Sequence, residues 1–80
     1  MKNDLRLIGE NIRRIRESRG LSQEQLGTGS GSHRNYIGAV ERGERNPTIS
    51  KVLAIVRALE CSFPDLLEGV ATKQTKRVQK

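Results

Sequence analysis

The sequence predicts an all-α domain of five short helices. Three observations carry this prediction. Apolar residues recur at steps of three and four along most of the chain. Two capping boxes, Ser22 with Gln25 and Ser62 with Asp65, mark helix starts, and Gly20, Gly43 and Gly69 stand where helices close. No segment shows the strict apolar–polar alternation of a half-buried strand.

The first helix carries Leu5, Ile8, Ile12 and Ile15 on one face, with charged residues filling the others. Asn3 or Asp4 can cap its start, and Gly20 ends it in a left-handed turn. In "LSQEQLG", Ser22 and Gln25 open the second helix, with Leu21 and Leu26 spaced as the matching hydrophobic staple. That helix is expected to end near Gly29, and a third to begin near His33, carrying Tyr36, Ile37 and Val40. Gly43 closes the third, and Pro47 forbids its continuation. Thr48 caps a fourth, "ISKVLAIVRALE", whose apolar residues form two stripes: Ile49, Leu53 and Val56, and Val52, Ile55 and Leu59. "SFPDLLEG" is a short fifth helix.

Length and charge limit the classes of function. Eighty residues make one small domain. The expected division is a folded domain over residues 1–69 and a basic, disordered tail over 70–80. The net charge of +6 is uneven: residues 1–69 hold 11 Lys/Arg against 9 Asp/Glu, while the tail adds four basic residues and no acid. Basicity alone therefore argues weakly for nucleic acid, and the placement of particular arginines has to carry the case. The one cysteine, Cys61, excludes an internal disulfide and fits a reducing compartment better than a secreted chain. No apolar run approaches the roughly 18 residues of a membrane span. Cys61 and His33 are too few ligands for a metal site. No nucleophile–base arrangement is evident, so neither enzymatic activity, a cofactor nor a small-molecule ligand is expected.

The stretch "GTGSGSHRNY", Gly27 to Tyr36, resembles a phosphate loop only in its glycines. No lysine follows them and no strand precedes them, as a nucleotide-hydrolase loop requires, and no βαβ unit is present for a dinucleotide. What remains is a sharp turn between two short helices, the corner of a helix-turn-helix.

The pieces "LSQEQL", "YIGAVERG" and "NPT", at these spacings, resemble the phage-repressor family, the lambda repressor and Cro-like (XRE) group. The resemblance covers about residues 5–69 and implies a lambda-repressor-like domain with its helix-turn-helix at about 22–42. The sequence departs from the pattern at Gly27, Ser30, Ser32 and His33, where alanine, a small apolar residue, valine and Ser or Thr are usual. A glycine in a helix costs about 1 kcal/mol against alanine. A serine in place of a buried valine loses about 1–2 kcal/mol of burial. The turn is therefore expected to be loosened and the end of the second helix to fray.

In this architecture the N-terminal residues of the third helix face base edges in the major groove. With His33 as cap, Arg34 and Asn35 open that helix. Arginine can bond bidentately to guanine and asparagine to adenine. The candidate DNA-binding set is Gln23, Ser32, His33, Arg34, Asn35, Tyr36, Ala39, Arg42, Arg45 and Asn46. The resemblance puts Gln23 on a phosphate and the loop with Arg42, Arg45 and Asn46 along the backbone. Tyr36 is either core or a phosphate contact. Gly38 either allows close approach to DNA or only weakens its helix. The resemblance further implies an Arg16–Glu41 salt bridge joining the first helix to the end of the third. Arg13, Arg14 and Arg19 read as a solvated face.

One recognition helix reads few base pairs, so a homodimer on a (pseudo)palindromic operator is expected. Because the apolar arc of the fourth helix exceeds one contact, Val52, Ile55 and Leu59, with Phe63 and Leu66, are the expected dimer interface. The chain is thus expected to be a cytoplasmic transcriptional regulator, bacterial or phage-encoded, whose partners are double-stranded DNA and a second copy. Short stand-alone members of the family include restriction–modification controller proteins, which this chain resembles in length. The alternative is an antitoxin-type protein-interaction module that also binds DNA. A basic RNA binder is a third reading, disfavoured by the scarcity of stacking aromatics, only Tyr36 and Phe63.

Overall fold

In the computed structural model, residues 2–70 are described. They form α1 (Lys2–Ser18), α2 (Gln23–Ser30), α3 (Arg34–Glu41), α4 (Ile49–Leu59) and α5 (Phe63–Leu66), with no strand among them. The tail expected at 70–80 lies outside the described residues, apart from Val70. None of the helices described is long and apolar enough to cross a membrane.

The start and stop signals act as the sequence implies. Ser22 Oγ accepts from the Gln25 amide while Gln25 Oε1 accepts from the Ser22 amide, and Ser62 and Asp65 repeat the exchange at α5. Asp65 is held below the usual carboxylate range chiefly by the Ser62 backbone N–H. Thr48 caps α4. Gly20, Gly43 and Gly69 take the left-handed conformation that an L side chain resists. Helix α1 begins at Lys2, so Asn3 and Asp4 lie in its first turn instead of capping it. An acid there still faces the positive end of the helix favourably.

The core gathers Ile12 and Ile15 from α1, Leu26 from α2, Ile37 and Val40 from α3, Val52, Ile55, Val56 and Leu59 from α4, and Leu66 from α5. This corrects the expected dimer interface. Ile55 and Leu59 are fully buried, Leu66 is 1 % exposed and Val52 is 9 % exposed, so this stripe of α4 completes the domain's own core. The reason is tertiary: α2 and α5 both pack on α4 and cover that arc. Among the described residues the exposed large apolar side chains are Ile49 at 65 % and Leu53, Phe63 and Leu67 at 37 % each. Phe63 alone of the expected set belongs to them.

The glycine-rich turn is tight. Helix α2 continues to Ser30, one residue beyond Gly29, and Gly31 closes it at φ 76°. Gly27 is buried, and a methyl group on it would lie 2.5 Å from the Ser32 carbonyl oxygen, so glycine lets the turn fold back against α2. Buried Ser30 donates its hydroxyl to the Leu26 carbonyl at 2.7 Å, which satisfies the polar group. Ser32 is half-exposed and fills no valine-like core position.

Two polar side chains fasten helix ends. Buried Asn11 donates to the carbonyls of Leu66 and Glu68, at 2.8 and 2.9 Å, and so anchors the end of α5 on α1. Arg19 donates to the carbonyls of Leu59 and Glu60, at 2.8 and 3.1 Å, closing α4; it is a helix-end clamp and not merely a solvated charge. At that end Glu60 adopts φ 57° and ψ 47°, the one non-glycine residue with positive φ among those described. Left-handed geometry costs an L residue about 1–2 kcal/mol, part of which glycine returns through unfolded-state entropy. Glu60→Gly is therefore expected to stabilise the domain by about 0.5–1 kcal/mol in urea unfolding. No gain would show that the Glu60 side chain makes compensating interactions.

Candidate nucleic-acid interface

Helix α3 is mounted on a buried ion pair. Arg16 Nε donates to Glu41 Oε2 at 2.7 Å and its Nη2 to Glu41 Oε1 at 3.2 Å, while Nη1 donates to the Leu21 carbonyl at 2.8 Å. The two side chains are only 9 % and 3 % exposed. The hydrogen bond to Glu41 holds the Arg16 guanidinium above its already high ordinary pKa. The pair expected from the family resemblance is thus present, and it joins α1, the α1–α2 turn and the end of α3 at one point.

Gln23, first residue of α2, donates from Nε2 to Glu41 Oε1 at 2.9 Å. A carboxylate only accepts, so it fixes which face of the amide turns toward it. Buried Gly38 lies beside this contact: a methyl group there would be in ordinary van der Waals contact with the Gln23 amide, 3.5 Å from Oε1 and 3.6 Å from Nε2, and 3.2 Å from Arg42 Nη1 at the end of a flexible side chain. Arg16, Glu41 and Gln23 therefore form one chain of hydrogen bonds through which α1 positions both helices of the turn.

At the opposite end of α3, His33 is the cap, its Nδ1 accepting from the Asn35 amide at 3.0 Å. Arg34 and Asn35 follow, both exposed, on the first turn of the helix. Arg34 Nη1 lies 3.5 Å from Glu24 Oε1, with both side chains largely in solvent. Such a pair contributes little and yields readily to a stronger acceptor. Ala39 is half-exposed, while Ile37 and Val40 turn into the core.

The loop after α3 keeps Arg42, Arg45 and Asn46 exposed. Arg42 Nε meets Glu44 Oε2 at 3.1 Å, an exposed pair. Tyr36 is half-buried and packs against the core, with the Arg45 guanidinium 5.2 Å and the Lys51 ammonium 5.6 Å from its ring centre. Lys51 also donates to Ser32 Oγ at 2.9 Å. The sequence carries no local signal for Lys51, which is a polar residue in the first turn of an amphipathic helix until the fold sets it beside Ser32 and Tyr36. Glu24 is likewise legible only as a first-turn acid until Arg34 is placed against it.

Of the candidate DNA-binding residues, all ten lie on α2, α3, the turn between them or the loop that follows. Three of them make side-chain hydrogen bonds within the scaffold, Gln23 to Glu41, His33 as cap and Ser32 with Lys51, and Tyr36 packs against the core.

The five-helix fold agrees with comparison to known proteins. The helix-turn-helix family model HTH_3 matches residues 12–66, from the core of α1 through α5. The chain belongs to this helix-turn-helix family. It is 47 % identical over 70 residues to the control protein C.SmaI of Serratia marcescens, covering 85 % of this chain and 83 % of the relative. The structure of the restriction-modification controller protein C.AhdI from Aeromonas hydrophila superimposes with a TM-score of 0.78 at 41 % identity, covering 80 % of this chain and 97 % of that one. The P22 c2 repressor, solved in complex with a synthetic operator, gives a TM-score of 0.73 at 38 % identity over 79 % of this chain and 96 % of that one.

Proposed function

We propose that this protein is a sequence-specific, double-stranded-DNA-binding transcriptional regulator of the restriction–modification controller type, acting as a homodimer. The observation that carries the reading is the exposed Arg34–Asn35 pair on the first turn of α3, a helix held rigidly by the buried Arg16–Glu41 bond. In this docking geometry those two side chains reach base edges, Arg34 suiting guanine and Asn35 adenine. Gln23, at the positive end of α2, suits a phosphate oxygen. The loop of Arg42, Arg45 and Asn46 then runs along the backbone. The controller relatives and the operator-bound P22 repressor support this reading over a module that covers a partner toxin.

The homodimer is best served by the apolar surface that the fold leaves exposed. Ile49, Phe63 and Leu67 line a hollow of about 150 Å³ together with buried Val52 and Leu66, and Leu53 is exposed on the same helix as Ile49. Exposed apolar residues clustered this way mark an interaction surface. Dimers of this architecture bind half-sites about one duplex turn apart. Ile49→Glu is expected to raise the dimer dissociation constant at least tenfold, about 1.4 kcal/mol, in sedimentation equilibrium. An unchanged dimer would move the interface elsewhere. With these partners, the protein would work in the cytoplasm, without catalytic activity.

The function itself is tested by titrating the protein against a palindromic duplex selected from random sequence, a scrambled duplex and single-stranded RNA. Preference for the selected duplex is expected, by a factor of about 10³ or more over the scrambled one. Equal binding to RNA would overturn the reading.

A further inference from the structure

Outside the residues proposed to read bases stands the cluster around the Tyr36 ring, whose Arg45 also lines the rim of the apolar hollow. Arg45 from the loop and Lys51 from α4 both lie over this one ring. Lys51 is fixed further by Ser32 Oγ at 2.9 Å and faces the Gly31 carbonyl at 3.4 Å. Other cations near the turn have acids beside them: Arg34 has Glu24, Arg42 has Glu44 and Arg16 has Glu41. Among the described residues neither Arg45 nor Lys51 forms an ion pair. Two cations drawn to one aromatic ring without a carboxylate partner, one of them beside a hydroxyl, make a site that an anion would complete.

We propose that Lys51, Arg45 and the Ser32 hydroxyl, arranged on the Tyr36 ring, bind one backbone phosphate of duplex DNA, with Lys51 as a contact residue and Tyr36 as the positioning residue. This rests on the DNA-binding reading above and adds to it a clamp formed by α4, outside the helix-turn-helix. The site contains no group that distinguishes bases, so it fixes the register of α3 on the duplex and contributes equally on every sequence. Tyr36 acts through the two cations: its ring attracts each of them and orders them before DNA arrives. Pre-ordering lowers the entropy lost when long basic side chains are immobilised on binding.

The test is the salt dependence of binding by the full chain to its selected duplex and to a scrambled one. Lys51→Gln is expected to weaken both about tenfold at moderate salt, and to make the slope of log K against log salt shallower by about 0.9, the signature of one lost phosphate contact. Lys51→Arg should restore the slope. Arg13→Gln, which removes an equal charge from α1, should leave the slope within about 0.3 of the parent if local contacts set it. Tyr36→Leu should lower affinity several-fold while keeping the parent slope, because every charge remains. In the free protein, ring-current shifts on the Lys51 ε-methylene protons should be present with Tyr36 and absent in Tyr36→Leu, with helicity checked by circular dichroism. If the parent binds its duplex and Lys51→Gln matches it in affinity and slope, the clamp is refuted while the DNA-binding reading stands. If the parent binds no duplex, both fall.

Discussion

Arg16→Leu is expected to destabilise the domain by about 3–5 kcal/mol. Leucine replaces much of the stem's packing but leaves the Glu41 carboxylate, 3 % exposed, without its bidentate partner. It also frees the Leu21 carbonyl, which accepts from Arg16 Nη1. An unpaired buried charge costs far more than the pair itself contributes. Against a total stability of about 5–15 kcal/mol for a small domain, such a loss makes unfolding appreciable at ordinary temperature. Urea denaturation measures it. Arg16→Leu combined with Glu41→Met should recover a large part of the loss, since the charge and its missing partner then go together. A cost of about 1 kcal/mol or less for the single substitution would mean that water reaches Glu41. The effect on DNA should outlast a rescue of stability, because Gln23 loses its acceptor in the double variant.

Gly9→Ala is expected to cost about 3 kcal/mol, an inversion of the usual helix preference. In an exposed helix interior alanine gains about 1 kcal/mol over glycine. Here a methyl group would overlap the Val40 carbonyl oxygen and lie 2.5 Å from that of Glu41. Both obstacles are backbone, so α1 and α3 would have to separate, at the upper end of the cost of overpacking. That movement would strain the Arg16–Glu41 bond at the same seam. Thermal or urea unfolding decides it: a stabilised Gly9→Ala would show that the α1–α3 contact is looser than described.

These two positions show what the sequence could and could not convey. Capping boxes and terminal glycines are local chemistry, so Ser22–Gln25, Ser62–Asp65, Gly20 and Gly43 were legible without any knowledge of neighbours. Arg34 and Asn35 were legible because the cap at His33 sets where α3 begins. Gly9 was not, since its reason lies in the backbone of a helix some 30 residues later. The α4 stripes failed differently. Both are apolar, and a period of 3.6 residues says that a face is buried without saying which. Only α2 and α5, packed on Val52, Ile55 and Leu59, decide that Ile49 and Leu53 are left outside. Lys51 and Asn11 belong to the same class: each acts on a group 19 or more residues away in sequence. At Gly27 the departure from the family pattern read as a weakness, whereas the fold uses the missing side chain to close the turn.

Arg34, exposed on the first turn of α3, is proposed to read a base. Its most direct test compares Arg34→Ala with the parent on a panel of duplexes varied one position at a time. Specific binding should weaken by about 1–3 kcal/mol and discrimination should relax at one base pair in each half-site, with binding to scrambled DNA changed far less. Equal losses on selected and scrambled duplexes would make Arg34 one more backbone contact and would rule out base reading by this side chain.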